Sequence, residues 1–168
     1  MIIIGGCATT SKVFFQSARS GDYAEVKRLI EEGGDVNAQT DDGLTALTLA
    51  STMGHTEIAK LLIDEGADVN AQSKEEGVTA LMSASTMGHT EVAKLLIEAG
   101  ANVNTRNDKG NTALMWASTM GHTEVPKLLI EAGADVNAQN NYGETALMSA
   151  SAMGHTEVAR LLIEAGAK

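Results

Sequence analysis

Apolar residues along this chain fall into short blocks that return at a nearly constant spacing. The block TALMSASTMGHTEVAKLLIEAGANVN runs from Thr79 to Asn104, and close copies begin at Thr45, Thr112 and Thr145, at offsets of 34, 33 and 33 residues. A period of that length is typical of repeat proteins, in which each unit stacks on the next. The pattern therefore predicts a stack of similar layers.

Each copy predicts two helices joined by a turn. Thr79 is expected to cap a helix from Ala80 to Met87, which Gly88 ends, because a hydroxyl before an Ala, Leu and Met run can accept a free backbone N–H. In the same way Thr90 is expected to cap a second helix, which ends before Gly100. The predicted unit is helix, turn, helix.

The second helix of each copy carries one apolar stripe. In the copy that begins at Thr79, residues at i, i+3, i+4 and i+7 are Val92, Leu95, Leu96 and Ala99. A helix pair this small cannot bury its stripe alone, so successive copies must stack and share a core. Segments rich in Asn, Asp and Gly connect the copies and suit tight turns. The segment between Asn70 and Gly77 holds one residue more than the others, which predicts a longer turn there.

The recurring pattern G-H-x-E-[VI]…L-L-I-x-x-G-A-[DN]-V-N, from Val13 to Ala167, resembles ankyrin repeats. The resemblance implies an all-α solenoid of stacked antiparallel helix pairs, with β-turn or hairpin fingers projecting between them. It also implies a non-enzymatic module that binds proteins. One feature departs from the family: the usual T-P-L-H opening reads TALT or TALM here, so the Pro and His of that opening are missing.

The copies divide the chain into a leader and one domain. Residues 1–12 are expected to form a disordered leader and 13–168 a single ankyrin-repeat domain, made of a capping repeat 13–39 and repeats 40–72, 73–106, 107–139 and 140–168. The first copy carries Glu25 and Arg28 where the next has Ile58 and Leu61. These polar residues suit an outer face in water. The last copy keeps its apolar pattern, so we expect its end to continue into more chain or to pack on another chain.

Charge and composition exclude several kinds of partner. The 168 residues carry a net charge of −10, with a pI near 4.7, whereas nucleic acid and anionic lipid both attract a basic surface. A single Cys rules out a disulfide within the chain. We therefore expect no nucleic-acid partner, and no membrane contact except through a lipid anchor.

No motif in the sequence indicates catalysis. There is no H-E-x-x-H and no phosphate-binding glycine loop. One histidine recurs in each copy, but ligands repeated once per layer lie roughly 8 to 10 Å apart and cannot share one ion. We interpret these residues as turn histidines hydrogen-bonded to adjacent loops: His55, His89, His122 and His155. The sequence predicts no enzyme activity, no cofactor, no metal and no small-molecule substrate.

The N-terminal residues leave two alternatives open. Ile4-Gly5-Gly6-Cys7 resembles the lipobox of bacterial lipoproteins, in which the Cys is lipidated. If translation starts upstream, Cys7 would anchor an envelope or periplasmic lipoprotein. If translation starts at Met1, the segment is instead the leader of a cytoplasmic protein, and this leader contains a Cys by chance.

Positions that differ among the copies are free for recognition. They cluster in the connecting segments and at the start of the first helices, which we expect on the concave side of the stack, where the resemblance places partner binding. Tyr142 is the predicted anchor, and Trp116 is either core filler or a contact. The predicted partner-binding set is Asp41, Asp42, Leu44, Gln72, Glu75, Glu76, Val78, Arg106, Asp108, Lys109, Asn111, Trp116, Asn141, Tyr142 and Glu144.

These observations favour one function over two alternatives. The leading hypothesis is a module that grips a protein partner, and the acidic turns predict some basic surface on that partner. The alternatives are a structural spacer or fragment of a longer ankyrin array, and an envelope-anchored ankyrin lipoprotein. One methionine recurs in each of the four close copies and is predicted to serve helix packing, with a deformable contact surface as the alternative: Met53, Met87, Met120 and Met153.

Overall fold

The computed structural model describes the backbone of residues 7–168 and the side chains from residue 11 onward. The described chain is all-helical, with helices α1 (Cys7–Ser20), α2 (Tyr23–Glu31), α3 (Ala46–Met53), α4 (Thr56–Asp64), α5 (Ala80–Met87), α6 (Thr90–Glu98), α7 (Ala113–Met120), α8 (Glu124–Glu131), α9 (Ala146–Ala152) and α10 (Thr156–Glu164). Consecutive helices pair into five layers, and odd-numbered helices are the first helices of their layers. None of the described helices is long and apolar enough to cross a bilayer.

The first helices of the regular layers begin and end where the sequence predicts. In α5, the Thr79 hydroxyl accepts the N–H of Met82 at 3.2 Å, and Gly88 ends the helix with a left-handed φ of 75°. The same threonine cap recurs at α3, α7 and α9. These boundaries follow from local signals, a hydroxyl before the helix and a glycine after it.

The predicted cap of the second helices is wrong. Thr90 is the first residue of α6, and the residue before it, His89, takes the N-cap position without a side-chain hydrogen bond to the helix. The imidazole Nε2 instead donates to the backbone oxygen of Thr52 in the preceding layer, at 3.2 Å. The side chain that would cap the helix therefore connects two layers.

Pro126 shifts the start of α8. In α6 the first helical hydrogen bond runs from the Ala93 N–H to the His89 oxygen at 2.9 Å. Proline has no N–H to make this bond at the equivalent position. Helix α8 accordingly begins at Glu124, one residue later than its counterparts begin, and Pro126 is buried within its first turn.

Helix α1 begins earlier than expected. It starts at Cys7, so residues 7–12 of the predicted leader are helical, while residues 1–6 lie outside the described part of the chain. No glycine or proline interrupts the sequence between Cys7 and Ser20, and such a segment can extend a helix without a break. Phe14 is buried in the core beside Phe15, whereas Arg28 of α2 is exposed, as a capping layer requires.

The layers share one continuous core. Fully buried leucines on the facing sides of the helices include Leu47, Leu62, Leu81, Leu96, Leu114, Leu129 and Leu162. Successive first helices pack more closely on one another than successive second helices do. A stack that is tighter along one edge curves toward that edge, so we infer that the first helices lie on its inner side.

Histidines connect each layer to the one before it. The Nε2 atoms of His55, His89, His122 and His155 lie 3.0 to 3.2 Å from the backbone oxygens of Arg19, Thr52, Thr86 and Thr119. Because a carbonyl only accepts hydrogen bonds, Nε2 carries the proton in each ring. The prediction of hydrogen-bonded turn histidines holds, but the predicted acceptors are wrong: each ring bonds to a carbonyl in the last turn of the preceding layer's first helix rather than to a loop.

Asparagines form a second set of connections between layers. Asn104 donates from Nδ2 to the oxygen of Gly133 at 3.1 Å and accepts the Asp135 N–H on Oδ1 at 2.8 Å. Asn37, Asn70 and Asn137 make the equivalent pair of bonds to their next layers. Each layer is therefore held at both ends of its second helix.

The connecting segments form four short fingers, 40–44, 73–78, 107–111 and 140–144. A hydrogen bond from the first residue's N–H to the last residue's carbonyl closes each finger at 2.9 to 3.0 Å. The second finger spans one residue more, as predicted. The resemblance implied turns or hairpins, and in the described chain the fingers are turns, with one isolated bridge between Gln39 and Thr45.

Candidate functional site

The fingers and the exposed sides of α3, α5, α7 and α9 form one surface, which we call the finger face. Trp116 stands on it, half-buried and packed against the core. The equivalent positions of the neighbouring layers are Ser83 and Ser149. A large side chain between two small ones leaves a depression on each side, so Trp116 forms a ridge between two grooves.

The first depression, the Ser83 groove, has a volume of about 220 Å³. It is mainly apolar, because Val78 and Met82 line it together with the Trp116 ring, and Glu76 supplies its one charged side chain. Its full lining is Thr52, Glu76, Val78, Met82, Ser83, Thr86, Met87 and Trp116. A groove of this size accommodates one apolar side chain of a partner.

The second depression, the Ser149 groove, has a volume of about 300 Å³. Its lining is Asn111, Met115, Trp116, Thr119, Asn140, Glu144, Ser149, Ala152 and Met153. Glu144 is the one charged side chain among these residues. This groove therefore combines an aromatic ring, apolar surface and a carboxylate.

Asn140 orders the polar end of the Ser149 groove. This buried residue donates from Nδ2 to Asn111 Oδ1 at 2.9 Å and to Glu144 Oε2 at 2.8 Å. Its Oδ1 accepts the backbone N–H groups of Tyr142 at 2.9 Å and Glu144 at 3.0 Å. A side chain that uses both amide atoms in this way fixes the finger and the Glu144 carboxylate together.

Other predicted residues connect the fingers to one another. Gln72 Nε2 donates to the Arg106 oxygen at 3.2 Å, and Arg106 Nη2 donates to the Gln139 oxygen at 2.5 Å. Asn141 Nδ2 donates to the Asp108 oxygen at 2.9 Å. The side chains of Gln72, Arg106 and Asn141 therefore hold neighbouring fingers in register as well as facing solvent.

Backbone hydrogen bonds also run from finger tip to finger tip. Lys74, Asp108 and Asn141 donate their N–H groups to the oxygens of Asp42, Glu76 and Lys109, at 2.9 to 3.1 Å. The Lys109 ammonium lies 3.7 Å from the Glu76 carboxylate. The tips thus form one continuous edge along the finger face.

The remaining predicted residues lie along that edge without entering either groove. Tyr142 is 74% exposed at the tip of the last finger. Leu44 is half-buried at the base of the first finger, where its N–H donates to Thr40 Oγ1 at 3.0 Å. The exposed tip carboxylates are Asp41, Asp42, Glu75 and Asp108.

Sequence reasoning missed several residues of the grooves. Ser83 and Ser149 vary at the position of Trp116 in the sequence but were left out of the predicted partner-binding set, and they matter because they are small beside Trp116. Asn140 was missed because nothing in the sequence shows where its side chain bonds. The packing interpretation of the recurring methionines is wrong, because Met53, Met87, Met120 and Met153 are each about half exposed.

The carboxyl groups whose pKa values are lowered lie away from the finger face, on the second helices of the first and last layers. A hydrogen bond from Arg28 lowers the pKa of Glu25 in α2, and one from Arg160 lowers the pKa of Glu157 in α10. Both pairs are exposed ion pairs, a common structural arrangement on helix surfaces. They give no indication of acid–base chemistry.

Two further predicted features concern metal and lipid. Within the described residues, no group of three or more His, Cys, Asp or Glu side chains lies close enough to hold a metal ion. Cys7 is the first residue of α1, but its side chain lies outside the described residues. Its lipidation stays a prediction.

Repeated helix pairs, bonded layer to layer and connected by fingers, define an α-helical repeat solenoid. A family model that consists of three ankyrin repeats matches the chain over two ranges, residues 14–107 and 100–168. The chain therefore belongs to the ankyrin-repeat family, whose members are generally protein–protein interaction modules and typically not enzymes. A search of curated proteins found no match.

Proposed function

We propose that this chain is a non-enzymatic interaction module that binds a protein partner through the finger face. The observation that supports this most strongly is the Trp116 ridge with a groove on each side. Tryptophan and tyrosine dominate the energetics of protein interfaces. The one Trp of the chain and the exposed Tyr142 both lie on this face.

The grooves and the finger tips have complementary roles in this proposal. The grooves accept side chains of the partner, while the tip carboxylates attract its basic surface. Asp41, Asp42, Glu75 and Asp108 are exposed, so salt screens their attraction. We therefore expect the association rate to fall as ionic strength rises, with a smaller change in the dissociation rate.

Affinity capture tests the proposal with two matched triple variants. One carries Trp116→Ala, Tyr142→Ala and Asp42→Ala on the finger face. The other carries Asp64→Ala, Lys94→Ala and Lys127→Ala, which are exposed on the second helices. We expect the first variant to bind captured partners at least about tenfold more weakly, since each lost anchor costs 1 kcal/mol or more, and the second to bind like the unmodified chain.

Weaker partner binding by the second-helix variant than by the finger-face variant would contradict the proposal. If the second-helix variant loses the partner while the finger-face variant keeps it, the binding surface lies on the outer side of the stack. Circular dichroism of both variants provides the folding control, because all six positions are at least partly exposed and none belongs to the buried core.

A second candidate function is assembly through the last described layer. Met148 of α9 is 54% exposed, whereas its counterparts Thr48, Met82 and Met115 are 1 to 4% exposed beneath the following layer. Ile163 of α10 is also largely exposed. This face matches surfaces that are covered within the stack, which favours a spacer or a segment of a longer assembly.

Sedimentation over a range of concentrations tests this second candidate. We expect concentration-dependent association that Met148→Glu and Ile163→Glu together abolish, because two charges on an apolar interface oppose its burial. Both side chains are exposed in the single chain, so the variant should remain folded. A chain that stays monomeric at every concentration would remove this candidate.

A further inference from the structure

The Ser149 groove differs from the Ser83 groove in how its carboxylate is held. Glu76, beside the Ser83 groove, lies 3.7 Å from the Lys109 ammonium. Glu144 has no ion-pair partner in the described part of the chain, and only its Oε2 is engaged, by Asn140. A preorganised carboxylate with a free oxygen favours a cationic ligand.

A second residue of the groove supports the same class of ligand. Trp116 lines the groove and is half-buried, and its indole makes no hydrogen bond or ring contact with any described residue. An aromatic face attracts a cation through its quadrupole, and tryptophan does so most strongly. Met115, Ala152 and Met153 supply apolar surface for the stem of a long side chain.

We propose that the Ser149 groove binds an arginine side chain of the partner. The planar guanidinium stacks on the Trp116 indole and donates to the free Glu144 oxygen, while its methylene stem lies along the methionines. Arginine fits better than lysine because its flat, weakly hydrated cation both stacks and forms directed hydrogen bonds. This assignment rests on the proposed function and names one chemical feature of the partner.

Asn140 has a positioning role in this site. Because it donates to Glu144 Oε2 and accepts two N–H groups of the finger, it holds the carboxylate before any ligand arrives. Less side-chain freedom is then lost on binding. The equivalent residues Thr40 and Ser73 accept an N–H of their own fingers but have no amide N–H to hold a carboxylate. Asn107 accepts two N–H groups in the same way, but Asn111 stands where the last finger has Glu144.

The single Trp makes the site directly observable. Trp116 fluorescence, excited selectively over tyrosine, can be followed during titration with N-acetyl-arginine amide. The control ligands are N-acetyl-lysine amide and N-acetyl-citrulline amide, which is nearly isosteric with arginine but uncharged. We expect saturable binding of the arginine compound with a Kd on the order of 1 mM, as its small size allows, weaker binding of lysine, and no saturable response to citrulline.

Two conservative variants localise the site. Glu144→Gln removes the charge and keeps an oxygen for Asn140, so we expect it to weaken arginine binding about fivefold or more. Glu76→Gln makes the same change beside the Ser83 groove and should alter the arginine Kd less than twofold. Both residues are exposed, so both variants should fold.

Several results would overturn the assignment. These are no saturable response to arginine, an equal response to citrulline, and an unchanged arginine Kd in Glu144→Gln. The titration needs no partner, so its outcome is separate from that of the capture experiment. If a captured partner depends on the finger face but binds Glu144→Gln normally, the arginine assignment fails and the proposed function stands.

Discussion

Replacing Gly88 by alanine is expected to lower the free energy of unfolding by about 2 to 3 kcal/mol. Gly88 has a left-handed φ of 75°, which costs an alanine about 1 to 2 kcal/mol. An added Cβ would also lie 2.6 Å from Cε1 and Nδ1 of His122. The ring must then move and its hydrogen bond to the Thr86 oxygen is lost, at about 1 kcal/mol more.

Gly100→Ala provides the matched control within the same layer. Gly100 has a φ of 90°, but an added Cβ there meets no atom of the described residues within 4 Å. It should therefore show only the backbone cost of about 1 to 2 kcal/mol. Urea unfolding of both variants, followed by circular dichroism, measures the difference. Equal destabilisation would show that the histidine contact contributes nothing to the stacking of layers.

Replacing three buried serines by alanine is expected to stabilise the chain by about 3 kcal/mol, at about 1 kcal/mol each. The hydroxyl oxygens of Ser51, Ser85 and Ser118 are fully buried and have no hydrogen-bond partner among the described residues. Alanine removes the unpaired group, differs little in volume and is the better helix former. Urea unfolding measures the effect. A higher midpoint, with an unchanged slope of the unfolding free energy against urea concentration, would show that only the stability has changed.

The last layer offers the control for this prediction. Ser151 occupies the same helical position in α9 but is exposed, so Ser151→Ala should change stability by only a few tenths of a kcal/mol. A triple variant that is less stable than the original chain would contradict the argument. The hydroxyls would then be hydrogen-bonded in solution.

The sequence predicted the layers well because their signals are local. Helix α5 begins directly after Thr79 and ends directly before Gly88, so both of its boundaries are set by residues adjacent in sequence. The one-residue extension of the second finger, from Ser73 to Val78, follows from counting residues between repeats. The shared core follows from the spacing of apolar residues.

Contacts between layers were harder to predict. Thr90 looked like a cap because only the adjacent sequence was considered, whereas His89 is held by Thr52, a residue 37 positions away. Tyr142 and Trp116 were both predicted as contacts, but only Trp116 lines the grooves, because only it has small neighbours in the layers on both sides. The Asn140 to Glu144 hydrogen bond depends on side-chain conformation, which residue types alone do not give.

Hydrogen exchange of a captured complex shows where a partner binds. Amide exchange is compared in the free chain and in the complex, residue by residue. We expect slower exchange in fingers 73–78, 107–111 and 140–144 and in α7 around Trp116, with little change in the exposed parts of α4, α6 and α8. Protection confined to those second helices would show that partners do not bind the finger face.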